Sequence, residues 1–214
     1  MRAYDLTHIL REDIPVFPGD GSPVLAPAAT MAEAGYRTTR LALDSHTGTH
    51  VDAPAHLLPE GAFLESLPPE AFGGWAVVLE ASPAAGPLTP ERVQAQLPGE
   101  PVDFILLSTG WEQQWGTPDY MGAYPVLLPE TAAFLAGLGL KGLGMDTPGP
   151  DEVTSPDTPC HRLLLESGVL LLENLTGLGP LRGKRVFLTV SPLKFRHSDG
   201  APARVIAWEG LRPE

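Results

Sequence analysis

Short apolar segments, each flanked by turn residues, constrain this chain's fold more than any other feature. The chain contains 23 glycines and 24 prolines, scattered between apolar stretches rather than gathered into a repeat. Apolar stretches this short, bounded by glycine and proline, are typical of β-strands. We therefore predict strands over residues 3–7, 38–45, 75–81, 103–108, 142–146, 169–175, 185–190 and 203–208.

Helix signals are fewer than strand signals. Thr89, Leu128 and Thr158 each precede a proline, and proline is favoured at the first position of a helix. These signals predict helices over residues 90–97, 129–138 and 159–167. The pattern as a whole indicates an α/β domain that is rich in strands and has few helices.

Size and charge narrow the possible functions. With 214 residues and 43% hydrophobic content, the chain can bury a large core, and we expect one domain spanning residues 1–214. The net charge of -12 would repel nucleic acid and anionic membrane surfaces, so a small molecule is the expected partner.

The sequence also predicts a cytoplasmic location. Charged residues interrupt the first thirteen positions, and no later apolar run reaches the ~20 residues of a membrane span. The single cysteine excludes a disulfide framework within the chain, which agrees with a reducing compartment.

Residues 45–56, SHTGTHVDAPAH, hold three of the six histidines and an aspartate. His46, His50, Asp52 and His56 all occupy even positions, so an extended backbone would direct their side chains to one side. Glycine and proline within the stretch argue against a regular strand throughout. We therefore place the motif on a strand end and a bent loop, with converging side chains.

This combination of side chains is typical of a catalytic metal site. Imidazole and carboxylate bind zinc or manganese, and two histidines with one aspartate leave coordination positions open. Cys160 is the only cysteine and cannot build a sulfur-rich structural site. The alternative is a set of surface or hydrogen-bonded core histidines.

Three residues outside the motif are ambiguous from the sequence alone. Glu173 lies in the apolar run VLLLENL, where a carboxylate needs an ion partner or a cation, although Glu80 has similar neighbours. His161 follows Cys160 on a predicted helix. Asp146 could orient a ligand histidine as an outer partner, or it could cap the following turn.

The motif resembles the HxGTHxDxPxH signature of the cyclase family of metal-dependent hydrolases. Further similarities are VFPGD at residues 16–20, GMDTP at 144–148, the spacing from His161 to Glu173, and SPLKF at 191–195. The resemblance covers most of the chain. It implies the swivelling β/β/α fold of cyclase-like hydrolases.

The resemblance also implies a site with two divalent ions, zinc in the first place and manganese as the alternative. His46, His50 and Asp52 would hold one ion, and Asp52, His161 and Glu173 the second, with Asp52 bridging. His56 would be the general acid/base. Phe17 stands where kynurenine formamidases have a tryptophan against the substrate.

The implied activity is that of an arylformamidase, which cleaves N-formyl-L-kynurenine to kynurenine and formate during tryptophan degradation. Isatin hydrolysis and the hydrolysis of lactams or cyclic esters are alternatives within the family. A metal-dependent binding protein without catalysis is the alternative from another class. The resemblance further implies a homodimer or larger homo-oligomer, with an aromatic residue between Trp111 and Tyr124 near a shared pocket.

Overall fold

The computed structural model describes residues 1–211, so the last three residues of the predicted domain lie outside the described part. The strands are β1 (Arg2–Asp5), β2 (Val24–Ala29), β3 (Thr38–Ala42), β4 (His50–Asp52), β5 (Gly73–Glu80), β6 (Phe104–Ser108), β7 (Gly142–Met145), β8 (Leu170–Glu173), β9 (Arg185–Pro192) and β10 (Gly200–Glu209). The α-helices are α1 (Met31–Ala34), α2 (Pro90–Gln96), α3 (Pro129–Ala136) and α4 (Pro159–Glu166). Short 3-10 helices span Pro54–His56, Leu64–Ser66, Pro69–Phe72, Pro83–Ala85, Trp111–Gln114 and Gly179–Leu181.

The main sheet closes on itself as a barrel. Its order is β1-β10-β4-β8-β7-β6-β5-β9, and β9 also pairs with β10. The long β10 makes this closure possible, because one of its edges pairs with β9 while the other pairs first with β4 and then with β1. Strands β5 to β8 run parallel, and β4 is antiparallel to β8.

Two hydrophobic core layers stabilise the barrel, one in its interior and one between its strands and the helices. Neighbouring residues on a strand face opposite sides, so Val78 and Leu106 point into the barrel while Leu79 and Ile105 pack beneath the helices. Burial on both faces explains why these strands are continuous apolar runs in the sequence.

The predicted strands and helices are confirmed, with ends that differ by no more than three residues. The Thr89 cap is also present, since its Oγ1 accepts a hydrogen bond from the Arg92 amide at 3.3 Å. Strand β2 and helix α1 were not predicted. Strand β2 contains Pro27, which weakens the sequence signal for a strand and is tolerated here at an exposed position.

Strands β2 and β3 form a separate two-stranded sheet, with α1 between them. We call residues 24–42 the hairpin arm. Every residue of β3 is exposed. Among the described residues, no helix is both long and apolar enough to cross a membrane.

Candidate active site

The pairing of β4 with β8 creates the centre of the site. His50 lies directly opposite Glu173, the last residue of β8, and its Nε2 is 3.4 Å from a Glu173 carboxylate oxygen. Asp52 lies two residues after His50 and therefore on the same face of the strand. Its Oδ1 is 3.2 Å from His50 Nε2.

Turns on either side of β4 bring in the other two histidines of the motif. His46 Nδ1 is 2.8 Å from Asp52 Oδ1. Gly48, with φ 68°, turns the chain between them into a conformation that suits glycine. The 3-10 helix Pro54–His56 returns His56 to the site, where its ring centroid is 4.1 Å from that of His46. The four side chains converge as predicted, although the backbone is extended only in β4.

Helix α4 contributes His161, whose Nε2 is 3.2 Å from Glu173 Oε1. Ligand atoms of His46, His50 and Asp52 all lie within 4.8 Å of one another, and so do those of Asp52, His161 and Glu173. The two groups share Asp52. A third group of the same kind combines His46 and His56 with Asp199.

Each of the three histidines in the first two groups has its other ring nitrogen held by an oxygen acceptor. His50 Nδ1 lies 2.8 Å from the Gly48 carbonyl, and His161 Nδ1 lies 2.6 Å from Asp151 Oδ2. His46 Nε2 lies 3.2 Å from Asp199 Oδ2. Metal-binding histidines are oriented in this way, because the outer hydrogen bond fixes both the tautomer and the ring.

The prediction for Asp146 as an outer partner of a ligand histidine is corrected by the structure. Its buried carboxylate accepts hydrogen bonds from the amides of Thr109 and Gly110, at 3.0 and 2.7 Å, and from the Thr109 hydroxyl at 2.5 Å. Asp146 therefore fixes the turn after β6, whereas the alternative placed it at the turn that follows Asp146 in the chain. Asp151 makes the contact with His161 instead.

Sequence reasoning missed Asp151, Asp199 and Asn174. Asp151 also accepts hydrogen bonds from the amides of Cys160 and His161 at the start of α4, whereas Thr158 makes no side-chain cap there. Because Asp151 precedes these amides by nine and ten residues, no local capping pattern marks it. Asn174, buried and with φ 55°, accepts from the Tyr120 hydroxyl and donates to the Gly48 carbonyl.

The charges of the site fit a bound cation. Asp52 and Glu173 are buried and face His50 and His161. Burial by itself would lower the pKa of His50, but hydrogen bonds to Asp52 and Glu173 raise it to about 10. The pKa of His161 also rises to about 10, because Asp151 and Glu173 outweigh burial. Divalent cations can replace such protons, and this donor set suits them.

The environment of His56 differs from that of the other site histidines. Burial lowers the pKa of His56, and the nearby Asp52 offsets this only in part. Within residues 1–211, the His56 ring makes no side-chain hydrogen bond, while its neighbour His46 has both ring nitrogens engaged. A neutral imidazole with available nitrogens can accept or donate a proton.

These groups open into a cavity of about 300 Å³. Its apolar wall includes Phe17, which is 48% exposed, with Leu57, Met121 and Val153. Tyr124 also lines the cavity, so an aromatic residue of the 111–124 loop reaches the pocket of its own chain. A second cavity of similar volume contains no histidine or carboxylate, so the chemistry points to the first.

Gly200 leaves room for His46, and this gives a first testable prediction. A Cβ atom at position 200 would lie 2.5 Å from His46 Cε1 and 2.8 Å from its Nε2. Gly200→Ala should therefore displace the His46 ring and raise the dissociation constant for a divalent metal about 10- to 100-fold. This is the usual loss of metal affinity when the contacts that orient a ligand are disturbed. Isothermal titration calorimetry would measure this. Gly99→Ala is the control, because its Cβ would meet no atom within 4 Å, and an unchanged affinity in Gly200→Ala would contradict the prediction.

Comparison with known proteins agrees with this geometry. A family model described as "Putative cyclase" matches residues 4–152. A kynurenine formamidase from Salinibacter ruber is 32% identical over 221 residues, covering 100% of both chains. The structure of isatin hydrolase A from Labrenzia aggregata, bound to benzyl benzoate, is 29% identical with a TM-score of 0.84, and the match covers 96% of this chain and 93% of that one.

A further solved structure, described as a predicted metal-dependent hydrolase from Bacillus stearothermophilus, is 26% identical with a TM-score of 0.78. The match covers 96% of this chain and 97% of that chain. The expected fold class, an α/β domain that is rich in strands, has few helices and follows the swivelling β/β/α fold of cyclase-like hydrolases, is confirmed by these similarities.

Proposed function

Because this chain belongs to the cyclase family of metal-dependent hydrolases, we propose that it hydrolyses a small aromatic amide. The specific proposal is an arylformamidase that cleaves N-formyl-L-kynurenine to kynurenine and formate. One observation carries it: two groups of metal-binding side chains share Asp52 and open into one cavity beside His56. The full-length similarity to a kynurenine formamidase supports the choice of substrate.

The proposed site holds two divalent ions, with zinc as the first choice and manganese as the alternative. His46, His50 and Asp52 would bind one ion, and Asp52, His161 and Glu173 the other. When bound, such ions supply polarisation of the amide carbonyl and a water that ionises near neutral pH. Asp151, Asp199 and the Gly48 carbonyl keep the three imidazoles oriented for binding.

The remaining side chains would position the substrate and move the proton. Hydrolysis adds the oxygen of water to the formyl carbon, breaks the carbon–nitrogen bond and leaves a proton on the nitrogen. His56 would deliver that proton to the departing aryl amine. Phe17 would pack against the aryl ring, and Leu57 and Val153 would limit the access of water.

Hydrolysis of a cyclic amide such as isatin is the second candidate. The structural similarity to isatin hydrolase A favours it. Phe17 differs from the tryptophan that the resemblance implies for kynurenine formamidases, which weakens the choice of N-formyl-L-kynurenine. Steady-state rates on N-formyl-L-kynurenine, formylanilide and isatin would separate the two activities. Bound metal without turnover of any amide or lactone would instead indicate a binding protein.

Metal removal tests the proposal directly. Chelation should abolish amide hydrolysis, and addition of zinc or manganese should restore it, because the proposed chemistry needs the bound ions. Elemental analysis of the purified protein would identify the metal and its stoichiometry. Full activity in protein shown to be free of metal would contradict the proposal.

The single domain over residues 1–214 and the cytoplasmic location stay predictions.

We also propose a homodimer formed through the hairpin arm. Val24 pairs with Ala42 while the adjacent Leu25 pairs with Leu41, so Val24 and Leu41 face opposite sides, and both are exposed. An isolated two-stranded sheet with apolar groups on both faces is marginally stable without a partner. Arg37 and Arg40 are exposed on the same arm and form no ion pair within residues 1–211. A second copy of this acidic chain offers the complementary charge.

Light scattering during size-exclusion chromatography would test the dimer. The protein should elute with twice the mass of one chain, and Val24→Asp with Leu41→Asp should halve that mass, because two charges would enter the interface. Leu193→Asp is the control, since Leu193 is at least as exposed as Val24 and Leu41 but lies outside the arm. A monomeric parent, or a dimer that tolerates both arm substitutions, would refute this interface.

A further inference from the structure

We infer that the pocket discriminates against aryl amides whose distal group, the substituent on the ring far from the amide, has a net negative charge, and accepts those in which it is neutral, zwitterionic or cationic. This inference rests on the proposed function, and it concerns the substrate rather than the reaction. It follows from the distribution of charge around the cavity.

The cavity contains no basic side chain outside its histidines. Among residues 1–211, neither lysine nor arginine lines it, whereas Asp20 and Glu152 do so in addition to the carboxylates of the proposed ion site. Arg162 reaches the carbonyl of the lining residue Leu57, at 3.4 Å, but its guanidinium donates to backbone oxygens and does not line the cavity. A substrate carboxylate would therefore find no fixed cation beyond the ions that serve the amide.

Asp20 lies beside the wall proposed for the aryl ring. Its amide donates a hydrogen bond to the Phe17 carbonyl at 3.0 Å, which closes a turn between these two residues. Glu152 directly follows Asp151, the partner of His161. Both Asp20 and Glu152 are exposed, and neither forms an ion pair within residues 1–211. Their charges are thus available to a substrate at the mouth of the pocket.

The consequence is that substrate preference depends on the charge of the distal group. The carboxylates would repel an anionic group and attract an ammonium group, with an effect limited by solvent screening. N-formyl-L-kynurenine carries both groups, so its ammonium would face the acids while its carboxylate would remain in solvent. A neutral aryl formamide avoids the repulsion altogether.

A charge series with one scaffold tests this inference. We expect KM for 4-formamidobenzoate to exceed KM for its neutral counterpart 4-formamidobenzamide by about 10-fold, the scale of a few exposed charge interactions. 4-(Aminomethyl)formanilide should have a KM no higher than that of the neutral amide. The difference should shrink as salt is added.

Substitutions then assign the effect to the two acids. Asp20→Asn combined with Glu152→Gln should reduce the difference between anion and neutral amide to about 2-fold. Glu60→Gln, an exposed acid outside the cavity, should leave it unchanged. Turnover of the neutral amide with equal KM for the anion would overturn the inference and leave the proposed function intact. Absence of turnover for the whole series would count against the proposed function. The inference would then be decided by calorimetry, which would compare the dissociation constants of 4-aminobenzoate and 4-aminobenzamide.

Discussion

Asp52→Ala should remove bound metal and amide hydrolysis together, with kcat/KM falling by more than about 10⁴-fold. Asp52 is the one side chain shared by the group of candidate ligands that contains His50 and the group that contains Glu173. Its loss would therefore weaken both ion positions at once, and the chemistry that metals supply accounts for a large part of the barrier in such hydrolases. Elemental analysis and steady-state kinetics on formylanilide would measure the two effects.

Folding has to be separated from metal loss in this variant. Asp52 is buried, and burial alone would raise its pKa, but the neighbouring His46 and His50 lower it well below the usual range. Removing this charge takes one of two carboxylate partners from each of His46 and His50, so thermal unfolding should be followed in parallel. Asp52→Asn keeps the shape and provides a second variant, and Asp157→Ala is an exposed control. A folded Asp52→Asn protein with the parent's metal content would refute the shared-ligand assignment.

Most of the fold could be predicted because a strand that is buried on both faces has a recognisable sequence pattern. Strands such as β6, which is buried throughout, appear as short apolar runs, and proline marks the start of α2, α3 and α4. Strand β2 lacks both signals: it is largely exposed and contains Pro27. The closure of the barrel depends on one strand, β10, pairing along both edges, and this is a tertiary property that no local pattern contains.

The candidate site, like the fold, could be predicted from the sequence only in part. His46, His50 and Asp52 lie within seven positions, so their spacing alone predicts that they meet. Joining them to Glu173 requires the β4–β8 register, in which residues 50 and 173 are opposite each other, and the resemblance to a family supplied that connection. Asp151 and Asp199 act on histidines that are ten and 153 residues away in the sequence. Such contacts become visible only when the chain is folded, and the same holds for the contacts of Asp146 with Thr109 and Gly110.

His56→Ala should show the opposite behaviour to Asp52→Ala: metal content is retained and kcat falls by about 10²- to 10⁴-fold, the usual contribution of a positioned acid or base. The reason is geometric, since His56 lies beside His46 and belongs to neither of the two groups that share Asp52. Rapid kinetics on formylanilide, with metal analysis of the same sample, would measure both quantities. His197→Asn is a suitable control, because His197 is exposed and asparagine tolerates its left-handed backbone at φ 57°.

Two results would contradict the acid/base assignment for His56 in different ways. Near-normal turnover of every substrate that the parent accepts would show that no proton passes through this ring. Loss of metal along with turnover would favour the third group of donors, in which His56 combines with His46 and Asp199, and His56 would then be a ligand. In that case Asp199→Asn should also lower the metal content, because Asp199 belongs to the same group.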